Sequence, residues 1–386
     1  MMSKRKMNFD TKVIHAGQPH PRIEGAVNVP IFQSSTFEYK GQKNYDDLVY
    51  VRLNNTPSHK SVSNKIAQLE GAEKAVVTSS GMSAITTTLL HFLNAGDHIL
   101  AHKNLYGGTA HFMKHGLPSY GIEVDLIDAR NPDNWEKKLK DNTKVIYVET
   151  MTNPLVEVVE LEAIVNFAKS NNLISIIDNT FASPVIFCPI KFGFDISLHS
   201  ATKYLNGHSD LAAGAIIGTE KNIKAISSTL NHLGGSLDPN TCYLLDRGIK
   251  TLSVRMERQC FNALKIAEFL NNHPGVESVN YPGLISNPNH DRAKRFLCGY
   301  GAMLSFILKG SEQTANDFIN KLEIPVHTWS LGGVESLVVR PAQTTHSNFT
   351  DEELLEAGID RRLIRYSVGI ESIDDLIEDF KFAIDD

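Results

Sequence analysis

Short apolar runs alternate with segments whose apolar residues recur every three or four positions, and this alternation begins near Ala75. Ala75 to Thr78 predicts a strand, and Met82 to Leu93 the helix that comes after it. Further strands are predicted at His98 to Ala101, Ile122 to Ile127, Val145 to Glu149, Leu173 to Ile177, Ile196 to His199 and Ala212 to Ile217, with a helix at Leu161 to Ser170. Strands and helices alternating at this spacing predict a mostly parallel sheet covered on both faces. Residues 1–55 differ: Gly17, Gly25, Pro30 and Gly41 break every periodicity, so this stretch is expected to be an irregular arm. Past Gly248 a single stripe (Ile249, Leu252, Met256, Cys260, Ala263, Ala267, Leu270) predicts one long amphipathic helix that stops at His273-Pro274-Gly275. Strands at Ala302 to Leu308 and Leu363 to Val368, and a closing helix at Ile373 to Ile384, complete a smaller α/β part. The expected division is an arm over 1–55, a larger domain over 56–248 and a smaller one over 249–386.

Composition narrows the classes. With 386 residues, 42% hydrophobic and 21% charged, the chain has material for a full core and is not disordered by composition. A net charge of −6 lacks the footprint of a nucleic-acid binder, and the cluster Lys4-Arg5-Lys6 is too small to change that. No apolar stretch comes after that cluster, so a signal peptide is not expected, and no run approaches the ~18 apolar residues of a membrane span. Cys188, Cys242, Cys260 and Cys298 are dispersed without a Cys-x-x-Cys pair. No metal site is expected; buried thiols in a reducing, cytoplasmic setting are.

The common nucleotide signatures are missing. Gly81-Met82-Ser83-Ala84 and Gly207-His208-Ser209-Asp210 approach a hydrolase nucleophile elbow but lack its closing glycine. His111 and His115 could share a helix face, without the glutamate that a zinc helix of this spacing carries. The residues at the carboxyl end of each predicted strand are more informative, because ligands bind at that edge of an open α/β sheet. Ser79-Ser80-Gly81-Met82 comes after the first strand at a helix start, where backbone N–H groups can hold a phosphate. Asn153-Pro154, Asp178-Asn179-Thr180 and Ser200-Ala201-Thr202-Lys203 come after three others. Each alone is ordinary: a helix cap, a turn acid, a solvated lysine. Together they meet the needs of pyridoxal 5'-phosphate (PLP): a lysine for a Schiff base, a carboxylate opposite the ring nitrogen, hydroxyls and N–H groups for the phosphate. Tyr106 is placed to stack on the ring. A serine hydrolase and a non-catalytic α/β binding protein are the readings from other classes.

These segments resemble the Cys/Met-metabolism, or trans-sulfuration, family of PLP enzymes: cystathionine γ-synthase, cystathionine β- and γ-lyases, and methionine γ-lyase. The resemblance runs through Ser80-Gly81-Met82, Tyr106-Gly107-Gly108, Asn153-Pro154, Asp178-Asn179-Thr180-Phe181, His199-Ser200-Ala201-Thr202-Lys203-Tyr204, Arg247-Gly248-Ile249-Lys250, Tyr281-Pro282-Gly283, Ser330-Leu331-Gly332-Gly333 and Arg365-Tyr366-Ser367-Val368-Gly369. It implies the type I, aspartate-aminotransferase-like fold. It further implies Lys203 as the Schiff-base lysine, Asp178 against the ring nitrogen, Tyr106 as the stacking ring, and Ser80, Gly81, Met82, Thr180, Ser200 and Thr202 around the cofactor. Tyr50 and Arg52 would reach the phosphate of a neighbouring subunit, implying a homo-oligomer built as two dimers. Arg365 would clamp the substrate carboxylate, with Asn153, Trp329 and Ser330 nearby. Three departures lean the expectation toward β-elimination of L-cystathionine, with cystathionine γ-lyase, or a γ-synthase or sulfhydrylase that builds the thioether, as alternatives. Gly108 stands where methionine γ-lyases carry a cysteine. Val49 stands where an acidic residue is often found. Trp329 stands where γ-synthases and γ-lyases carry a glutamate.

Overall fold

The computed structural model describes residues 7–344, 347 and 349–385, so Lys4-Arg5-Lys6 lies outside the described residues. Their strands are β1 (Lys74–Thr78), β2 (His98–His102), β3 (Glu123–Ile127), β4 (Thr143–Glu149), β5 (Ile174–Asp178), β6 (Ile196–His199), β7 (Gly214–Gly218), β8 (Val276–Asn280), β9 (Met303–Leu308), β10 (Val326–His327), β11 (Leu337–Val339) and β12 (Ile364–Ser367). The chain forms two compact units. One runs to Asn94 and resumes over Ile174–Ser253; the other comprises Ala95–Leu173 and the chain from Val254 onward.

In the first unit the strand order is β1-β7-β6-β5. β5 and β6 are parallel, while β7 runs antiparallel to both β6 and β1. β1, β5 and β6 therefore end on one edge, where β7 begins. β5 and β6 are almost wholly buried, which is why they read as continuous apolar runs rather than alternating ones. Helix α2 (Pro57–Glu70) begins with a proline in its first turn and stops at Gly71, whose φ of +70° suits glycine. Helix α3 (Gly81–Phe92) comes directly after β1, and the Ser80 hydroxyl caps it by accepting from the Ser83 N–H at 3.0 Å.

Two expectations change here. The arm is not irregular throughout, because Phe9–His15 is a helix, α1. At seven residues it is too short to persist by propensity. It is held by burial of Val13 and Ala16 and by Lys12 and Lys65, whose ammonium groups donate to Gln68 O and Ile14 O, each at 3.3 Å. The stripe from Ile249 to Leu270 is two helices, Pro239–Ile249 and Leu252–Asn272. At the join, the Thr251 N–H and hydroxyl both bond the Gly248 carbonyl, three residues back, so the i→i−4 ladder lapses for one turn.

In the second unit β2 lies between β3 and β4, all parallel, so their carboxyl ends share an edge. A five-stranded sheet of order β10-β11-β12-β9-β8 belongs to the same unit. Its core is a ring cluster: Phe306 meets Phe318 at 5.7 Å, and Phe380 meets Phe318 at 5.4 Å and Tyr366 at 5.0 Å. β8 carries only two apolar residues among its five and so left no strand signal. Among the described residues no helix is long and apolar enough to cross a membrane.

Candidate active site

The edge at which β1, β5 and β6 end brings Ser80, Gly81, Met82, Asp178, Thr180, Ser200, Thr202 and Lys203 together within the first unit. The amides of Gly81 and Met82, in the first turn of α3, have no intrahelical acceptor and lie at the positive end of the helix dipole. Gly81 is buried against Ser200. A Cβ added at Gly81 would come to 2.8 Å from the Ser200 Cβ and 2.9 Å from its hydroxyl. Ser200 can therefore approach the helix start this closely only because residue 81 has no side chain. Ser200-Ala201-Thr202-Lys203 is a tight turn, with the Lys203 N–H donating to Ser200 O at 3.0 Å, and it leaves the lysine half-buried. The Thr202 hydroxyl is exchanged with Ala213, donating to its carbonyl at 3.1 Å and accepting from its N–H at 3.0 Å.

Asp178 is the last residue of β5, and burial raises its carboxyl above the usual aspartate range; Thr180 opposes that rise. The Thr180 N–H and hydroxyl both donate to Asp178 Oδ1, at 2.9 and 2.5 Å. The Thr180 oxygen in turn accepts from the Ser200 N–H at 2.8 Å, so one hydroxyl links the acid to the anion cradle. Tyr50 and Arg52 belong to the same unit. The Arg52 guanidinium donates to Asn231 O at 2.6 Å and to the Tyr45 hydroxyl, and lies 5.6 Å from the Tyr50 ring centre.

The second unit holds the other candidates. Tyr106 precedes the helix Gly107–His111, and its N–H donates to Glu149 Oε1 at 2.6 Å. Glu149, buried at the end of β4, is a residue that sequence reasoning missed, because nothing local to β4 marks it as the anchor of a tyrosine 43 positions away. Side chains alternate along β12, so Tyr366 enters the ring cluster and Arg365 takes the opposite face. Only 2% exposed, the Arg365 guanidinium donates to Asn153 Oδ1 at 3.1 Å, Trp329 O at 2.7 Å and Ser330 O at 3.2 Å. These acceptors are neutral oxygens, so they fix the fork without cancelling its charge. The Trp329 indole is exposed.

The His111 and His115 rings lie 4.8 Å apart, but the described residues contain no group of metal-ligating side chains. All four cysteines are free. The expectation of buried thiols is met in full only at Cys242; Cys188 and Cys260 are half-buried, and Cys298 sits exposed just beyond the helix His290–Phe296.

The first unit has the donor set that PLP requires: helix-start amides with the Ser200 hydroxyl packed beside them, a half-buried amine, and a desolvated carboxyl suited to a cationic ring nitrogen. Fold and site together define a PLP-dependent enzyme of the type I fold, a mostly parallel sheet with helices on both faces and a smaller C-terminal α/β part. The family model described as "Cys/Met metabolism PLP-dependent enzyme" matches residues 10–385, and the chain belongs to that family. It is 42% identical to an L-methionine gamma-lyase of Fusobacterium nucleatum subsp. polymorphum over 100% of both chains. It is 43% identical to a cystathionine beta-lyase of Lactococcus lactis subsp. cremoris, covering 98% of this chain and 99% of that one. Among solved structures it is similar to a cystathionine gamma-lyase from Lactobacillus plantarum complexed with L-serine, with a TM-score of 0.92, 37% identity, and coverage of 98% of this chain and 100% of the other. PLP is thus its cofactor and sulfur amino-acid lyase chemistry its class. Relatives of nearly equal identity bear different reaction names, so identity alone does not choose the reaction.

Proposed function

We propose that the chain is a carbon–sulfur lyase that cleaves L-cystathionine by β-elimination, giving homocysteine, pyruvate and ammonia. The observation that carries the choice is Trp329. Its carbonyl belongs to the Arg365 grip, yet its side chain offers an indole and no carboxylate. A distal ammonium brought there would find no counter-charge, which disfavours the pose that γ-elimination needs. Gly108 argues in the same direction against methionine as the preferred substrate.

In this reading the Arg365 fork takes the substrate α-carboxylate in two charge-assisted hydrogen bonds, with Asn153 and Ser330 fixing its plane. Lys203 would hold the cofactor and, with substrate bound, would carry the α-proton. Bound PLP supplies an electron sink for the carbanion at the α-carbon. Asp178 would face the ring nitrogen, Tyr106 would pack on the ring, and the start of α3 with Ser80, Ser200, Thr180 and Thr202 would hold the phosphate. Tyr50 and Arg52 complete the site of a neighbouring subunit in a homotetramer of two dimers. The free cysteines fit a reducing, cytoplasmic setting.

The test is the keto acid released from L-cystathionine, identified by chromatography. Pyruvate in excess is expected; an excess of 2-oxobutyrate would overturn the β preference and leave the lyase class standing.

A further inference from the structure

The last residue of α2, Glu70, is fully buried and lies 109 residues along the chain from Asn179 and 129 from His199. Its Oε1 accepts from three side chains: His199 Nε2 at 2.6 Å, Asn179 Nδ2 at 3.3 Å and Ser197 Oγ at 3.3 Å. His199 immediately precedes Ser200 of the anion cradle, and Asn179 is the residue immediately after Asp178. The carboxylate therefore sits under two strand ends at once, β5 where it presents the acid and β6 where it opens into the lysine turn. Its other oxygen, Oε2, is buried with no hydrogen-bond partner among the described residues. A neutral amide would fill the same space at a smaller desolvation cost. The 2.6 Å contact ties the His199 ring to the Glu70 carboxyl through one hydrogen bond between Nε2 and Oε1.

We propose that Glu70 is a positioning residue of the cofactor site, acting through His199 and Asn179 to hold the strand ends that present Ser200 and Asp178. The assignment rests on the reading of that edge as the PLP site. The Asn179 N–H also donates to Leu198 O at 2.8 Å, so the two strands are tied by backbone as well. Glu70 adds a charge-assisted clamp on the side chains, where the backbone ladder ends. His199 also bears on Asp178 directly, since its proximity acts to lower the raised carboxyl.

The test compares two substitutions by PLP affinity, measured by titrating apoenzyme and monitoring the visible band at one fixed pH. Glu70→Gln keeps the shape and removes the charge; Glu70→Asp keeps the charge and loses a methylene. A packing role predicts that Asp is the worse replacement. The proposal predicts the opposite order, with Glu70→Gln binding PLP about ten-fold more weakly than the unmodified protein and Glu70→Asp losing less. Affinity of Glu70→Gln equal to the unmodified protein, or a larger loss in Glu70→Asp, would overturn it. If Glu70→Gln does not fold, hydrogen exchange of the unmodified protein decides. Added PLP should slow exchange in the peptide ending α2 together with the peptide spanning 199–203, and no change in the α2 peptide overturns the proposal. Borohydride reduction of the loaded, unmodified protein separates the two levels. A PLP label on Lys203 with unchanged Glu70 variants sinks this inference alone, whereas no label on Lys203 sinks the cofactor reading beneath it.

Discussion

The two candidate sites, one in each unit, handle buried charge in opposite ways. The first buries an acid, Asp178, with Thr180 as its hydrogen-bond donor, beside a cradle of helix-start amides and hydroxyls. The second buries a base, Arg365, and surrounds it with the carbonyls of Trp329 and Ser330 and the amide oxygen of Asn153. The first arrangement suits a ligand with a cationic ring atom and an anionic tail. The second suits a carboxylate. In the proposed reading, cofactor retention rests mainly on the first unit and substrate grip on the second, and each should be removable without the other.

Lys203→Ala should have the largest effect, lowering turnover by ~10³-fold or more through loss of the proton carrier, while the start of α3 and Asp178 still hold cofactor. Steady-state rates with a bound-PLP assay check both halves. Next, Arg365→Ala should lower kcat/KM on L-cystathionine by ~10²-fold or more, because two hydrogen bonds to a charged group are worth ~1.5–3 kcal/mol each. The visible band of the loaded protein should not change. A variant that also lost its cofactor would break the separation between the units.

Stability against pH sharpens the contrast. His102, at the end of β2, is fully buried and its ring is pushed down to about 4 from 6.5 by desolvation. A lowered histidine contributes stability that is complete above its unfolded value and is lost as pH falls from about 6.5 toward about 4. The loss is about 3 kcal/mol, read from urea unfolding at the two ends of that range. Asp178, raised by burial, acts with the opposite sign: it favours the folded apoenzyme most in acid and less as pH rises through its folded value. The smallest effect expected is Arg52→Ala, which should weaken PLP retention by ~1.5–3 kcal/mol if its guanidinium bonds the phosphate. Mixing Arg52→Ala with Lys203→Ala should restore activity. Proven subunit exchange without recovery would argue against a site completed by the arm.

Legibility in the sequence divides along the same line. The first unit's site sits at the ends of apolar strands, and Ser80-Gly81-Met82, Asp178 and Ser200 to Lys203 are each contiguous with the strand that positions them. Local pattern therefore located them. The Arg365 grip is assembled from positions up to 212 residues apart, and only resemblance to a family picked out its members. Glu70 and Glu149 left no signal at all, because each acts on a residue delivered by another strand or turn. Helix α1 was missed for a related reason, its stability coming from α2 rather than from its own seven residues.

The Thr180 hydroxyl has one hydrogen, and the Ser200 N–H occupies its oxygen from the far side. That hydrogen is committed to Asp178 Oδ1, which also receives the Thr180 N–H. A proton on Oδ1 would meet two donors head-on. The two oxygens of a single carboxylate are thereby made inequivalent: Oδ1 is an anchor that keeps the loop and the acid in register, whereas the Thr180 donors leave Oδ2 untouched. The polarity of one threonine thus sets the direction from which Asp178 can do chemistry.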